Sequence, residues 1–177
     1  MASLSFTSAT LPLFALLSVT HAVTCCQKDK TVLLEFKKSL NNPYALASWG
    51  SNTDCCGWYC ITCDTESGRV SKLDITSTTV TGEIPDSIRE LTALTSLTLR
   101  KLDLYGEISP KIRLLRNLTY FRLDWNRFSG QIPPWLSELN RLAFLDLSFN
   151  RFSGEIPSTF GQFRGKAPTL DLSHNGL

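Results

Sequence analysis

A glycine-led phrase returns every 24 residues along this chain. It reads Gly82-Glu83-Ile84-Pro85, Gly106-Glu107-Ile108-Ser109, Gly130-Gln131-Ile132-Pro133 and Gly154-Glu155-Ile156-Pro157. Self-similarity at a fixed period of roughly 20–29 residues, with leucines in phase, marks a leucine-rich-repeat solenoid. Such a chain is a curved stack of coils that presents one broad surface, and binding is its default use.

The leucines keep the same phase. Leu94-Thr95-Ser96-Leu97-Thr98-Leu99, Leu118-Thr119-Tyr120-Phe121-Arg122-Leu123 and Leu142-Ala143-Phe144-Leu145-Asp146-Leu147 are apolar at their first, fourth and sixth places. The last two places fix a short strand with alternate side chains inward. Val70, Leu73 and Ile75 make a degenerate first coil, and Leu170-Asp171-Leu172 begins a fifth. Asn126, Asn150 and Asn175 fall at the turn after a strand, where an inward amide can bond the backbone of adjacent coils. Thr78 and Leu102 hold that place in the first two coils, so the ladder is expected to be imperfect there. The step from Asn150 to Asn175 is 25 residues, which puts one extra residue in the Gly/Pro-bearing stretch Gly161–Pro168. The expected fold is an α/β repeat: a right-handed curved superhelix with a parallel β-sheet on its concave face and a helical, disulfide-bonded N-terminal cap.

Residues 1–22 hold no lysine, arginine or acid, and Leu11–Val19 is an apolar run too short to cross a bilayer. With Ala22 before the cut, this reads as a secretory signal peptide, and no second apolar segment suggests a membrane anchor. The division is then 1–22 signal, 23–68 cysteine-rich cap, and 69–177 repeats, about 4.5 coils. Cys25, Cys26, Cys55, Cys56, Cys60 and Cys63 all lie in the cap. An even count in a secreted chain points to disulfides, with the connectivity open. Cys60-x-x-Cys63 has redox and zinc-ligand spacing, but a secreted cap favours a structural role, and no metal is expected. Asp29 is a plausible N-cap for a helix to about Leu40, with Val32, Leu33, Phe36 and Leu40 as its apolar stripe. Trp49 and Trp58 are expected in the cap core, since a solenoid's first coil needs a cover.

The phrases Asn126-Arg127-Phe128-Ser129-Gly130-Gln131-Ile132-Pro133 and Asn150-Arg151-Phe152-Ser153-Gly154-Glu155-Ile156-Pro157 match the repeat of extracellular plant leucine-rich-repeat proteins. The cap is more specific. Asn42-Pro43-Tyr44-Ala45-Leu46-Ala47-Ser48-Trp49 and Asp54-Cys55-Cys56-Gly57-Trp58-Tyr59-Cys60-Ile61-Thr62-Cys63-Asp64 resemble the opening of a polygalacturonase-inhibiting protein. The resemblance runs over 25–177. It implies Cys25–Cys55 and Cys56–Cys63 bridges; Cys26 replaces the family's usual asparagine, which suggests an additional Cys26–Cys60 bridge. Members of that family carry more coils and a C-terminal cysteine cap, where this chain has Gly176-Leu177, so the resemblance implies a shortened member.

The resemblance also implies a function: a secreted, cell-wall defence protein whose concave face grips a microbial, typically fungal, endopolygalacturonase. The matching outward positions are Ser96, Thr98, Arg100, Lys101, Tyr120, Arg122, Asp124, Trp125, Phe144, Asp146, Ser148 and Phe149. Aromatic and arginine side chains carry much of the energy in protein interfaces. The alternative for Phe144 and Phe149 is lateral packing between coils. A formal charge of +2 is too mild for nucleic acid, although basic residues could meet anionic pectin. Asn117-Leu118-Thr119 is an N-glycosylation sequon. No cofactor motif or catalytic set emerges, and an enzyme is not expected. Two other functions share the scaffold: an ice-binding protein, which the irregular, charged rank Thr98, Arg122, Asp146 disfavours, and a ligand-binding fragment of a receptor.

Overall fold

The computed structural model describes residues 23–163 and 167–177. The leader expected over 1–22 lies outside them. In chain order the elements are α1 (Gln27–Ser39), β1 (Ile61–Cys63), β2 (Val70–Thr76), β3 (Thr81–Gly82), β4 (Ser96–Arg100), β5 (Asp103–Gly106), β6 (Tyr120–Arg122), β7 (Arg127–Gly130), β8 (Phe144–Asp146), β9 (Arg151–Phe152) and β10 (Thr169–Asp171). Strands β2, β4, β6, β8 and β10 pair in parallel, one per coil, and β1 adds antiparallel to β2. The register aligns Leu73, Leu97, Phe121, Leu145 and Leu170. All but the last of these are fully buried, while Leu170 is exposed.

A second ribbon, β3–β5–β7–β9, runs through the glycine phrases. It explains the glycines twice over. Gly106, Gly130 and Gly154 have φ of 88°, 81° and 87°, where a side chain is strained. Each also lies under the acid or amide of the preceding coil: a Cβ on Gly130 would meet Glu107 Oε1 at 2.9 Å. After each phrase the backbone takes one short 3₁₀ turn: Asp86–Glu90, Pro110–Leu114, Pro134–Glu138 and Ser158–Gln162. These turns still keep the 24-residue spacing, whereas β10 is offset by 25 from β8, so the extra residue enters between Gln162 and Thr169.

The asparagine ladder forms at the three sites expected. Asn126 Nδ2 donates to the carbonyls of Leu99, Leu123 and Asp124, and its Oδ1 accepts from the Leu104 amide. Asn150 repeats the set on Leu123, Leu147, Ser148 and Phe128, and Asn175 on Leu147, Leu172, Ser173 and Phe152. Each amide thus satisfies backbone groups of two coils, in a buried setting at Asn126 and a part-buried one at Asn150 and Asn175. Beneath the ladder Phe128 and Phe152 are fully buried and stack 6.4 Å apart.

The cap closes the first coil. Phe36, Trp49 and Trp58 pack together and are buried, with Trp49 and Trp58 stacked at 5.5 Å. Both indoles are satisfied, Trp49 Nε1 donating to the Tyr59 carbonyl and Trp58 Nε1 to Thr53 Oγ1. The expected helix cap is corrected. The helix starts earlier, at Gln27, and Asp29 is fully buried instead. Its Oδ2 accepts from Arg69 Nε and from the Val70 amide, both at 2.8 Å. A carboxylate paired with a cation and a strand amide does more there than a local cap would, because it ties α1 to the first coil.

Cys25 is bonded to Cys55 and Cys56 to Cys63. The additional Cys26–Cys60 bridge does not form; both are free thiols. The Cys26 backbone is held by its amide on the Gly68 carbonyl, and that of Cys60 by its carbonyl on the Asp74 amide. Burial, then the nearby Asp74 carboxylate, pushes the Cys60 thiol up to about 11, so it stays protonated at neutral pH. Cys60-x-x-Cys63 is therefore not a dithiol pair, since Cys63 is committed to Cys56.

Candidate functional site

The concave sheet sorts its side chains into rows. Ser96, Tyr120 and Phe144 are in register, flanked by Lys72 and Thr169; Thr98, Arg122 and Asp146 form the next row, between Asp74 and Asp171. Arg100, Asp124 and Ser148 follow at the same 24-residue step, then Lys101, Trp125 and Phe149. The structure thus gathers all twelve expected residues on one side of the solenoid, but not all of them are accessible.

Thr98, Asp124, Asp146 and Ser148 are buried, at 6%, 1%, 4% and 3% exposure, which corrects their expected role as contact residues. The cause is charge pairing along the sheet. Asp124 is held between two guanidinium groups, Arg100 Nε at 2.8 Å and Arg122 Nε at 2.6 Å. Arg122 Nε also reaches Asp146 Oδ2 at 3.2 Å. The other oxygen of Asp146 accepts from the Ser148 hydroxyl at 2.6 Å and its amide at 3.0 Å. Thr98 sits in register between Asp74 and Arg122. Two arginines and two aspartates cancel, so the centre of the face is a neutral, internally bonded strip. Arg100 and Arg122 keep 38% and 26% of their side chains exposed, and they act first as clamps on Asp124.

Aromatic side chains border this strip on both sides. Tyr120 and Phe144 stack at 4.5 Å with planes 9° apart. Trp125 and Phe149 stack at 3.9 Å, and Phe149 and His174 at 3.9 Å. Phe144 and Phe149 are half-buried, so lateral packing between coils describes both, while Tyr120 and Trp125 remain exposed at 36% and 45%.

The second column carries a feature that period counting does not disclose. Ser77, Lys101, Trp125, Phe149 and His174 all have left-handed backbone, with φ of 51°, 51°, 57°, 52° and 56°. Bulky side chains are uncommon there, and such a residue costs on the order of 1–3 kcal/mol. The turn imposes it: Ser77, Lys101, Trp125 and Phe149 each donate their amide to a carbonyl of the next coil, Arg100, Asp124, Ser148 and Ser173 respectively. Stacking at roughly 0.5–1.5 kcal/mol per aromatic pair offsets part of the strain. The available signal was the bulky residue placed immediately before each ladder asparagine.

His174, Ser173 and Asp171 also meet, but in the wrong order for nucleophilic chemistry. Ser173 Oγ donates to Asp171 Oδ1 at 2.7 Å and only borders His174 Nδ1, at 3.2 Å. The Ser173 hydroxyl, then its amide, holds the Asp171 carboxyl below the usual carboxylate range. A base would have to take the serine proton, and here the carboxylate already accepts it. Asn117 is half-buried; its Nδ2 donates to the Thr92 carbonyl and its Oδ1 accepts from Arg141, each at 2.9 Å.

Residues 26–64 match the leucine rich repeat N-terminal domain family, and residues 117–139 and 141–163 match the Leucine Rich Repeat family. The chain is 54% identical over 78 residues to a polygalacturonase inhibitor of Vitis vinifera, covering 44% of this chain and 23% of the relative. It is 48% identical over 101 residues to polygalacturonase inhibitor 2 of Arabidopsis thaliana, covering 52% and 31%. The chain thus spans about a quarter to a third of the curated relatives it matches. Among solved structures, a plant ice-binding protein superposes with a TM-score of 0.78 at 36% identity, covering 86% of this chain and 57% of that one. The ectodomain of the Arabidopsis receptor kinase HAESA, in complex with a peptide hormone, gives 0.76 at 34%, covering 84% and 25%.

Proposed function

Taking the chain as a leucine-rich-repeat protein of the polygalacturonase-inhibitor type, we propose that it is a secreted defence protein that binds a microbial endopolygalacturonase on its concave face and obstructs the enzyme's substrate cleft. The relatives' names support the partner, and the concave face supplies the means. The observation that carries the reading is the pair of aromatic borders, with exposed Tyr120 and Trp125, on either side of a strip whose charges are satisfied before any partner arrives. Such a surface loses little on desolvation, which is the usual cost of burying charge in an interface. The protein acts by binding rather than catalysis. In this reading it is extracellular, at the plant cell wall where anionic pectin lies near, and it carries its glycan on Asn117.

The test is titration of polygalacturonase activity from several fungi with the secreted chain. Stoichiometric loss of activity against at least one enzyme is expected; no loss with any of them refutes the reading. The ice-binding neighbour raises a second reading, but the row Asp74, Thr98, Arg122, Asp146, Asp171 lacks a regular threonine rank. Ice recrystallisation is therefore expected to proceed normally in its presence.

A further inference from the structure

The column of Trp125, Phe149 and His174 has two outer ring faces, and they meet different electrostatics. Phe149 is covered on both sides, at 3.9 Å each. The outer face of His174 stands in the coil of Asp171. The outer face of Trp125 looks toward Lys101, which holds the equivalent place one coil earlier, its amide on the Asp124 carbonyl at 3.0 Å and its side chain exposed. Lys101 does not cover the ring: among the described residues the one cation seated over an aromatic face is Arg127, on Tyr105 at 5.7 Å. Trp125 is itself positioned by its left-handed backbone and by Phe149 stacked behind it.

The polar side chains around this face are already committed. Both oxygens of Asp124 go to Arg100 and Arg122. Asn126 spends its amide on four backbone groups, and the Ser148 hydroxyl is given to Asp146. What remains for a ligand is a flat indole face, the Lys101 ammonium and the outer nitrogens of Arg100. A sugar ring, whose hydroxyls donate as well as accept, finds donors but no free acceptor in that set. A flat ring with a negative charge beside it is well served.

We infer that the open face of Trp125, bordered by Lys101 and Arg100, is a stacking subsite for an aromatic side chain flanked by a carboxylate on the protein partner. The bound ring would extend the column by one member. The identity of the partner rests on the enzyme-binding reading, whereas the chemistry of the subsite does not.

Two arms test it. In the first, the full chain is titrated with a blocked glutamate–tyrosine–glutamate peptide and with its leucine analogue while the indole N–H resonance of Trp125, assigned with Trp125→Phe, is followed by NMR. The aromatic peptide is expected to shift that resonance with saturation, and Lys101→Glu to weaken it about three- to tenfold, while the leucine analogue leaves it in place. Equal responses to the two peptides, no response to either, or a response to oligogalacturonate in place of the aromatic peptide each overturn the inference, the last in favour of a carbohydrate site. In the second arm, with a polygalacturonase that the chain inhibits, Trp125→Leu is expected to raise the inhibition constant roughly 10- to 30-fold and Trp125→Phe less than about threefold. An unchanged constant for Trp125→Leu overturns the inference and leaves inhibition standing. Failure of the unaltered chain to inhibit removes the enzyme reading, and the peptide arm alone then decides the subsite.

Discussion

Asn126→Ala is the sharpest probe of how the coils are joined. The wild-type amide makes four bonds, three donated and one accepted. Not all of the partners are orphaned by its removal. The Leu123 carbonyl keeps Asn150 Nδ2 at 2.9 Å, and the Asp124 carbonyl keeps the Lys101 amide at 3.0 Å. The loss falls on the Leu99 carbonyl and the Leu104 amide, at about 1–3 kcal/mol each for a buried group without a partner. A total of about 2–6 kcal/mol follows, or roughly 4–24 °C in Tm for a domain of this size. Urea unfolding followed by far-UV circular dichroism measures it. Asn126→Asp sharpens the test, because it preserves shape while aiming acceptors at three carbonyls. Its buried carboxyl must have a folded pKa raised above the unfolded value. The folded state then holds a proton that the unfolded state releases, so stability falls as pH rises between the two values and recovers as pH falls. At neutral pH the Asp variant is expected to be less stable than the Ala variant. A loss below about 0.5 kcal/mol for Ala, or an Asp variant that is flat in pH and no worse than Ala, refutes the reasoning.

Gly130→Ala is expected to cost about 1–3 kcal/mol, because φ is 81° and the new Cβ meets Glu107 Oε1 at 2.9 Å; adding Glu107→Ala should recover the steric part and leave the backbone part, as thermal unfolding of both variants will report. Cys60, with its thiol pushed up to about 11, is expected to alkylate slowly at pH 8 and faster as pH approaches that value; in stability terms the neutral thiol favours the fold below the unfolded pKa near 9, and that contribution is lost as pH rises toward 11. Mass spectrometry of the alkylated folded chain checks it, and rapid labelling of Cys60 at pH 8 contradicts it.

The repeat was legible because its constraint is periodic. Leu97, Phe121 and Leu145 had to face inward at a fixed step, and the asparagines after them had to bond backbone. What escaped was set by contacts between coils. Asp29 carries a good capping identity, yet Arg69, forty residues on, claims its carboxylate. Asp124 and Asp146 alternate outward as strand residues should, and only the neighbouring Arg100 and Arg122 show why outward is not accessible. The left-handed backbone of Trp125 and Phe149 is likewise imposed by amides reaching into the next coil, so residue preference pointed elsewhere. Cys26 and Cys60 were countable but not pairable from spacing, since a disulfide depends on geometry that sequence does not carry.

Hydroxyl-radical footprinting of the chain with and without an inhibited polygalacturonase tests the concave-face account most directly. The chain holds its own controls: Tyr44 and Tyr59 are 93% and 73% exposed in the cap, and Tyr105 is 43% exposed on the second ribbon. The account predicts that Tyr120 and Trp125 lose reactivity on binding while Tyr44, Tyr59 and Tyr105 keep theirs. Protection of Tyr105 or the cap tyrosines, with Tyr120 and Trp125 still oxidised, would place the partner on another surface and contradict it.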